Sequence, residues 1–333
     1  MNIYFILPVI GSILFPSVLV YGTTSQLLNN HADSMNKLLN KHWKISPDQY
    51  NERLKELKAQ FLSPARKEDE PCPSTPLDDW FMRELEVIGN ETLSLFDDYQ
   101  VFDLATYYGV YFRKTSDLDE YFYRDGSRTN EFETLHRDAK AFWDIPSSDI
   151  LLLGMHGRQL DDLDVLTEIY SDLEFESPQD SALFVHSLIN TTIGFDHPLL
   201  TFNAFAASPK EVQYDDDTID DQVISQYKEL LDRIMIGEGI LKAFDTLGYG
   251  ETTPGYLYAH EFGHHIQFER DLLGINATLN ESNPFDDREI ELLADAFAGY
   301  FLAHPKGGNF NTSMVHELLQ DAFVIGDCFF QRN

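Results

Sequence analysis

Residues 252–270 read TTPGYLYAHEFGHHIQFER, and within them His260-Glu261-Phe262-Gly263-His264 is an H-E-x-x-H sequence. At about 3.6 residues per turn, positions four apart stack on one helix face, so the imidazoles of His260 and His264 can meet a single zinc ion. Glu261 stands beside that face, near enough to hold a zinc-bound water and take its proton. The flanks predict a helix. Thr252 or Thr253 can cap it, Pro254 suits its first turn, Tyr258, Phe262 and Ile266 make an apolar stripe, and Gly274 can close it.

A second helix is expected from Arg288 to Leu302, REIELLADAFAGYFL, opened by Pro284-Phe285-Asp286-Asp287. Ile290, Leu293, Ala294, Phe297, Ala298 and Phe301 mark it as largely buried, yet Glu291 and Asp295 stand one turn apart in the same apolar run. A buried carboxylate is costly unless it is paired or bound to metal. Glu291 is therefore the expected third zinc ligand. Asp295 is the expected acceptor for the outer nitrogen of a ligand imidazole, fixing its tautomer so that the other nitrogen faces the metal. The alternative, a solvated acidic face, fits poorly with the Ala and Gly around the acids, which suit close helix packing.

These two helices resemble those of the gluzincin metallopeptidases, and more closely those of the neutral zinc metallopeptidase family of bacteria, which joins a helix like AHEFGHHIQ to one like ELLADAFAG. The resemblance extends to Ala322-Phe323-Val324-Ile325-Gly326-Asp327, and upstream to Leu199-Leu200-Thr201-Phe202-Asn203-Ala204-Phe205 and Ile234-Met235-Ile236-Gly237-Glu238-Gly239. It implies a zincin-like α+β fold: a mixed sheet with an edge strand, an active-site helix and a helical C-terminal lobe. It also implies one zinc per chain and hydrolysis of peptide bonds, with Glu261 as general base. In thermolysin-like and neprilysin-like enzymes an N-A-F or N-A-Y edge strand pairs with the substrate backbone, which gives Asn203 and Ala204 that role here. Bacterial relatives carry a further His-containing segment after the Ile-Gly-Asp stretch, whereas this chain stops at Asn333. The candidates to stabilise the transition state are then His316 on the last expected helix, His304 and His156, while His265 points away from the ligands and is read as structural.

A different class remains open, a secreted protein that binds zinc without catalysis and turns its acidic surface to a cationic partner. Glu261 beside a full ligand set speaks against it, since a closed structural site has no use for a base. The net charge of -32, from 24 Lys plus Arg and 56 Asp plus Glu, excludes nucleic acid and anionic membrane as partners. A peptide or protein substrate is expected instead.

Met1 to Gly22 holds no charged residue and is mostly apolar, with Val20 and Gly22 suited to signal cleavage before Thr23. It lacks a basic residue near its start and is also long enough to span a bilayer, but Pro8, Gly11 and Pro16 favour the cleaved signal. Secretion, with no membrane association after signal removal, agrees with N-x-[ST] glycosylation sequons at Asn90, Asn190, Asn276, Asn280 and Asn311. Cys72 and Cys328 form either one long-range disulfide or two buried thiols.

With 43% hydrophobic residues, 25 Phe and 16 Tyr, the 333-residue chain can bury one large two-lobed core. Four segments are expected: a signal (1–22), a helical segment and linker (23–76), a helical aromatic-rich extension (77–130) and a zincin-like catalytic domain (131–333). Thr23 to Glu70 carries 8 basic and 7 acidic residues, against 16 and 49 in the remainder, and is read as either a propeptide or a permanent helical cap. From Asn130 the pattern predicts a helix (Glu131 to Trp143), a strand (Asp149 to Leu153), a helix (Asp161 to Ser171) and strands at Ala182 to Leu188, Leu199 to Phe205 and Arg233 to Ile236. Ala206 to Asp232, with acids at Asp215 to Asp217, Asp220 and Asp221, is read as a solvated loop and helix.

Overall fold

The structure, a computed structural model, describes residues 75–113, 120–173, 175–208, 230–270 and 284–325. The signal stretch, the helices expected within 23–70, Cys72, Cys328, Asn276, Asn280, Gly274 and the acids of 215–221 lie outside the described residues. What is described is α+β, mostly helical, around one small mixed sheet.

Three helices, α1 (Pro76–Ile88), α2 (Asn90–Asp98) and α3 (Leu104–Tyr111), precede α4 (Thr129–Phe142). Thr75 and Asp78 reciprocally cap the start of α1, so its backbone donors are satisfied. Leu77, Trp80 and Phe81 of α1 are buried in the same core as Tyr258 and Phe262 of the H-E-x-x-H helix, and Trp80 stacks on Phe202 at 5.4 Å. The first helix of the aromatic-rich extension is thus part of the main core, while Phe96, Val101, Leu104 and Ala105 lie in a second apolar cluster.

Strand β1 (Leu151–Met155) is followed by a 3-10 turn (Gly157–Asp161), α5 (Leu163–Asp172) and α6 (Pro178–Thr192). A second 3-10 turn (Pro198–Thr201) leads into β2 (Ala204–Ala207), and after the undescribed interval come β3 (Arg233–Gly237) and α7 (Glu238–Leu247). β3 is central: β1 pairs with it in parallel, Leu153 opposite Met235, and β2 antiparallel, Ala204 opposite Ile236. All five residues of β3 are buried, which the run RIMIG predicts for a strand covered on both faces.

Two expectations are corrected. Ala182 to Leu188 is helical, because the buried residues Ala182, Val185 and Ile189 follow a three-to-four spacing while Leu183 and Phe184 face outward. A short apolar run cannot by itself distinguish the two periods. The strand expected from Leu199 begins only at Ala204, since Pro198 opens a 3-10 turn whose Thr201 hydroxyl accepts from Gly239 N at 2.9 Å. A Cβ on Gly237 would lie 1.9 Å from Thr201 O, so only glycine lets β3 end against this turn.

The last three helices are α8 (Thr253–Glu269), α9 (Pro284–Ala303) and α10 (Thr312–Ile325). Every residue of α8 from Thr253 to Gln267 is buried. Its expected stripe of Tyr258, Phe262 and Ile266 is only one side of a helix covered all round, by the sheet, α4, α9 and α10. Neither threonine caps it with a side chain. Thr252 donates its hydroxyl to Asp321 and Thr253 to Tyr249 O. Among the described residues no helix is long and apolar enough to cross a membrane.

Candidate metal centre

The site is built where α8 crosses α9. A Cβ on Gly263 would meet the backbone Cα and O of Ala294 at 3.0 Å, so glycine in the fourth place of the motif lets the two backbones come close. That approach brings Glu291, three residues before Ala294, onto the histidines of α8. His260 Nε2 lies 3.1 Å from Glu291 Oε2, His264 Nε2 lies 3.6 Å from the same oxygen, and the two Nε2 atoms are 3.1 Å apart. His260, His264 and Glu291 are all buried, and their potential ligand atoms lie within 4.8 Å of one another.

The outer nitrogens decide what these inner atoms can do. His260 Nδ1 donates to Asp295 Oδ1 at 2.9 Å, and His264 Nδ1 donates to Gln267 Oε1 at 2.8 Å. With both protons outside, the neutral rings present bare Nε2 lone pairs to each other and to a carboxylate oxygen. Three electron-rich atoms at these separations repel unless a positive charge lies among them. The donor set therefore fits a metal ion, and two imidazole nitrogens with one carboxylate oxygen suit a divalent first-row metal.

The titration of the group carries the same message. Burial pulls the His260 imidazolium down, but hydrogen bonds to Asp295 and Glu291 outweigh it and hold the group well above the ordinary histidine value. Burial pushes Glu291 up, but the two imidazoles bring it down to about 2. A proton on His260 thus meets the same electrostatic need that a metal ion would.

Glu261 is fully enclosed beside the ligands, and neither of its carboxylate oxygens has a hydrogen-bond partner. Burial raises its pKa, partly offset by His260 and His264. An unpartnered buried carboxylate is costly, and it is retained here next to a charge-hungry cluster.

Asp295 accepts from His260, one of the two imidazoles the sequence left open for it, and its side chain is about one-third exposed. Asn203 directly precedes β2 and its Oδ1 is buried without a partner, while Ala204 opens β2 and is buried. No hydrogen bond joins the remaining histidines to the centre among the described contacts. His316 is exposed on α10, and His304 Nδ1 accepts from Lys306 N. His156 pairs with Glu238 at 2.7 Å and stacks on Tyr121. His265 donates to Arg233 O at 3.2 Å, as a structural residue would. Of the sequons, Asn90, Asn190 and Asn311 are exposed, and Asn311 Oδ1 caps α10 by accepting from Ser313 N and Met314 N.

Two residues were missed in the sequence. Gln267 is fully buried on His264, and Tyr256 donates its hydroxyl to Asp295 Oδ1 at 2.7 Å. The sequence shows each only as a polar side chain, three residues after His264 or one turn before His260; that the helix is buried all round is a fact of packing.

No family model matches the chain, and no solved structure matches it. A stretch of 94 residues is 40% identical to the uncharacterized protein YpfJ of Escherichia coli strain K12, covering 25% of this chain and 31% of that protein. YpfJ of Escherichia coli O6:H1 is similar to the same extent. The match thus spans about a third of the length of these relatives.

Proposed function

We propose that this protein is a secreted zinc metallopeptidase of the gluzincin type, with a zincin-like catalytic fold. The observation that carries the reading is Glu261, a partnerless buried carboxylate set beside three converging ligand atoms. His260, His264 and Glu291 would hold a zinc ion, which would supply Lewis acidity toward a peptide carbonyl and lower the pKa of a water molecule toward neutrality. The chain does the rest. Glu261, with no other hydrogen bond to give up, takes the proton of the attacking water and delivers it to the leaving amine nitrogen. Among the described residues β2 has a strand on one side only, so its other edge and the free Asn203 Oδ1 support extended binding of a peptide backbone.

Glu261→Gln tests this directly. The residue is not a ligand, so zinc content stays at one per chain, while hydrolysis of a protein substrate falls by at least about a hundredfold. A parent protein without chelator-sensitive hydrolysis, or a Gln variant that keeps most of the activity at matched zinc content, overturns the reading.

A further inference from the structure

The two histidines of the centre are supported by different chemistry. His260 leans on Asp295, a carboxylate whose side chain is about one-third exposed and which also accepts from Tyr256. His264 leans on Gln267, a neutral amide with no exposure at all. We propose that Gln267 is a positioning residue of the metal centre, holding the proton of His264 on Nδ1 so that Nε2 faces the metal.

The inference rests on the metal reading above, and its argument is one of tautomers and solvation. The two neutral tautomers of an imidazole are close in free energy, so a fixed acceptor on one nitrogen decides which nitrogen is bare. An amide oxygen is an acceptor only, and Gln267 Oε1 at 2.8 Å therefore requires the proton on Nδ1. A carboxylate in that place would bind the N–H more strongly and make Nε2 a better donor. It would also add an unsolvated charge near Glu261 and Glu291, whereas the charge of Asp295 reaches water. The amide supplies the acceptor without that charge, and in the metal-loaded protein the divalent cation would offset the charge of a carboxylate in its place.

The test is zinc affinity, measured by competition with a chromogenic chelator on the full chain, with far-UV circular dichroism to verify folding. Gln267→Met keeps the length and loses the acceptor, and is expected to weaken zinc binding by about ten- to a hundredfold. Gln267→Glu restores an acceptor and is expected to bind zinc at least as tightly as the parent. In the cobalt-substituted protein the visible bands should move in Gln267→Met and return in Gln267→Glu. A packing role predicts the reverse order, because the buried charge of Glu is then the more damaging change.

Parent-like zinc affinity in Gln267→Met overturns the inference. Should the Met variant fail to fold, Gln267→Glu decides, since a tenfold loss of affinity with a native spectrum overturns the proposal and parent affinity supports it. A parent that takes up no zinc removes the metal reading and this inference together. One that binds zinc but hydrolyses nothing removes only the peptidase.

Discussion

Helices α5 and α6 pack against each other with Leu166, Ile169 and Tyr170 facing Ala182, Val185 and Ile189, and this interface buries almost nothing polar. Helices α8 and α9 also pack closely, yet between them lie His260, Glu261, His264, Gln267 and Glu291, all buried. The first interface is stabilised by removing apolar area from water, at about 25 cal/mol per Å2. The second loses much of that gain to desolvated charge and to the unpartnered carboxylate of Glu261. A protein keeps such an interface when something bound there offsets the cost, so the stability of the α8 and α9 pair should depend on metal and that of the α5 and α6 pair should not.

The largest effect breaks the second interface alone. In zinc excess, at about a thousand times the dissociation constant, binding adds about 4 kcal/mol to the stability of the folded chain. Chelation should therefore lower Tm by many degrees and abolish hydrolysis, and His264→Ala should match the chelated protein with or without zinc. Calorimetry that finds the same Tm with zinc and with chelator would erase the contrast between the two pairs.

Ile189→Ala probes the other side of the comparison. Removing this fully buried side chain leaves a cavity between α5 and α6 and should cost about 2–4 kcal/mol in urea unfolding. Zinc affinity should stay at the parent value, because distant independent sites add. A coupled loss of zinc would mean that the two interfaces are one cooperative unit.

The same contrast explains what could be read from the sequence. His260, Glu261, His264, Glu291 and Asp295 were legible because their chemistry is local: each pair is one helical turn apart, and acids inside an apolar run need a reason. The helix at Ala182 to Leu188 was not, because a short stretch opening on four consecutive apolar residues satisfies both periods and its true one emerges only from which residues α5 covers. The roles of Gln267 and Tyr256 were hidden for a different reason. Both depend on the ring orientation of His260 and His264 and on α9 approaching across Gly263, which are facts of packing. Asp321 was likewise invisible, since its partner Thr252 is distant in sequence.

Asp321 carries the smallest expected effect, and it asks whether the polar burial of α8 reaches its third neighbour, α10. Its side chain is enclosed against the start of α8, with Oδ2 accepting from Thr252 at 2.8 Å and Oδ1 without a partner. Burial pushes its pKa from 3.8 up to about 7, opposed by the hydroxyls of Thr252 and Thr253 and reinforced by Glu317. The folded state therefore prefers the protonated acid. Its stabilising contribution is complete below about pH 4 and is lost as the pH rises through about 7. Asp321→Asn mimics the neutral acid, so at constant zinc it should leave Tm near the parent value at pH 4 and raise it by about 2–4 °C at pH 8. Comparing parent and variant cancels the titration of the ligands themselves. A variant shifted equally at both pH values, or less stable than the parent at pH 8, would show that burial does not raise the pKa of Asp321 and that the cost of buried charge around α8 stops at the candidate metal centre.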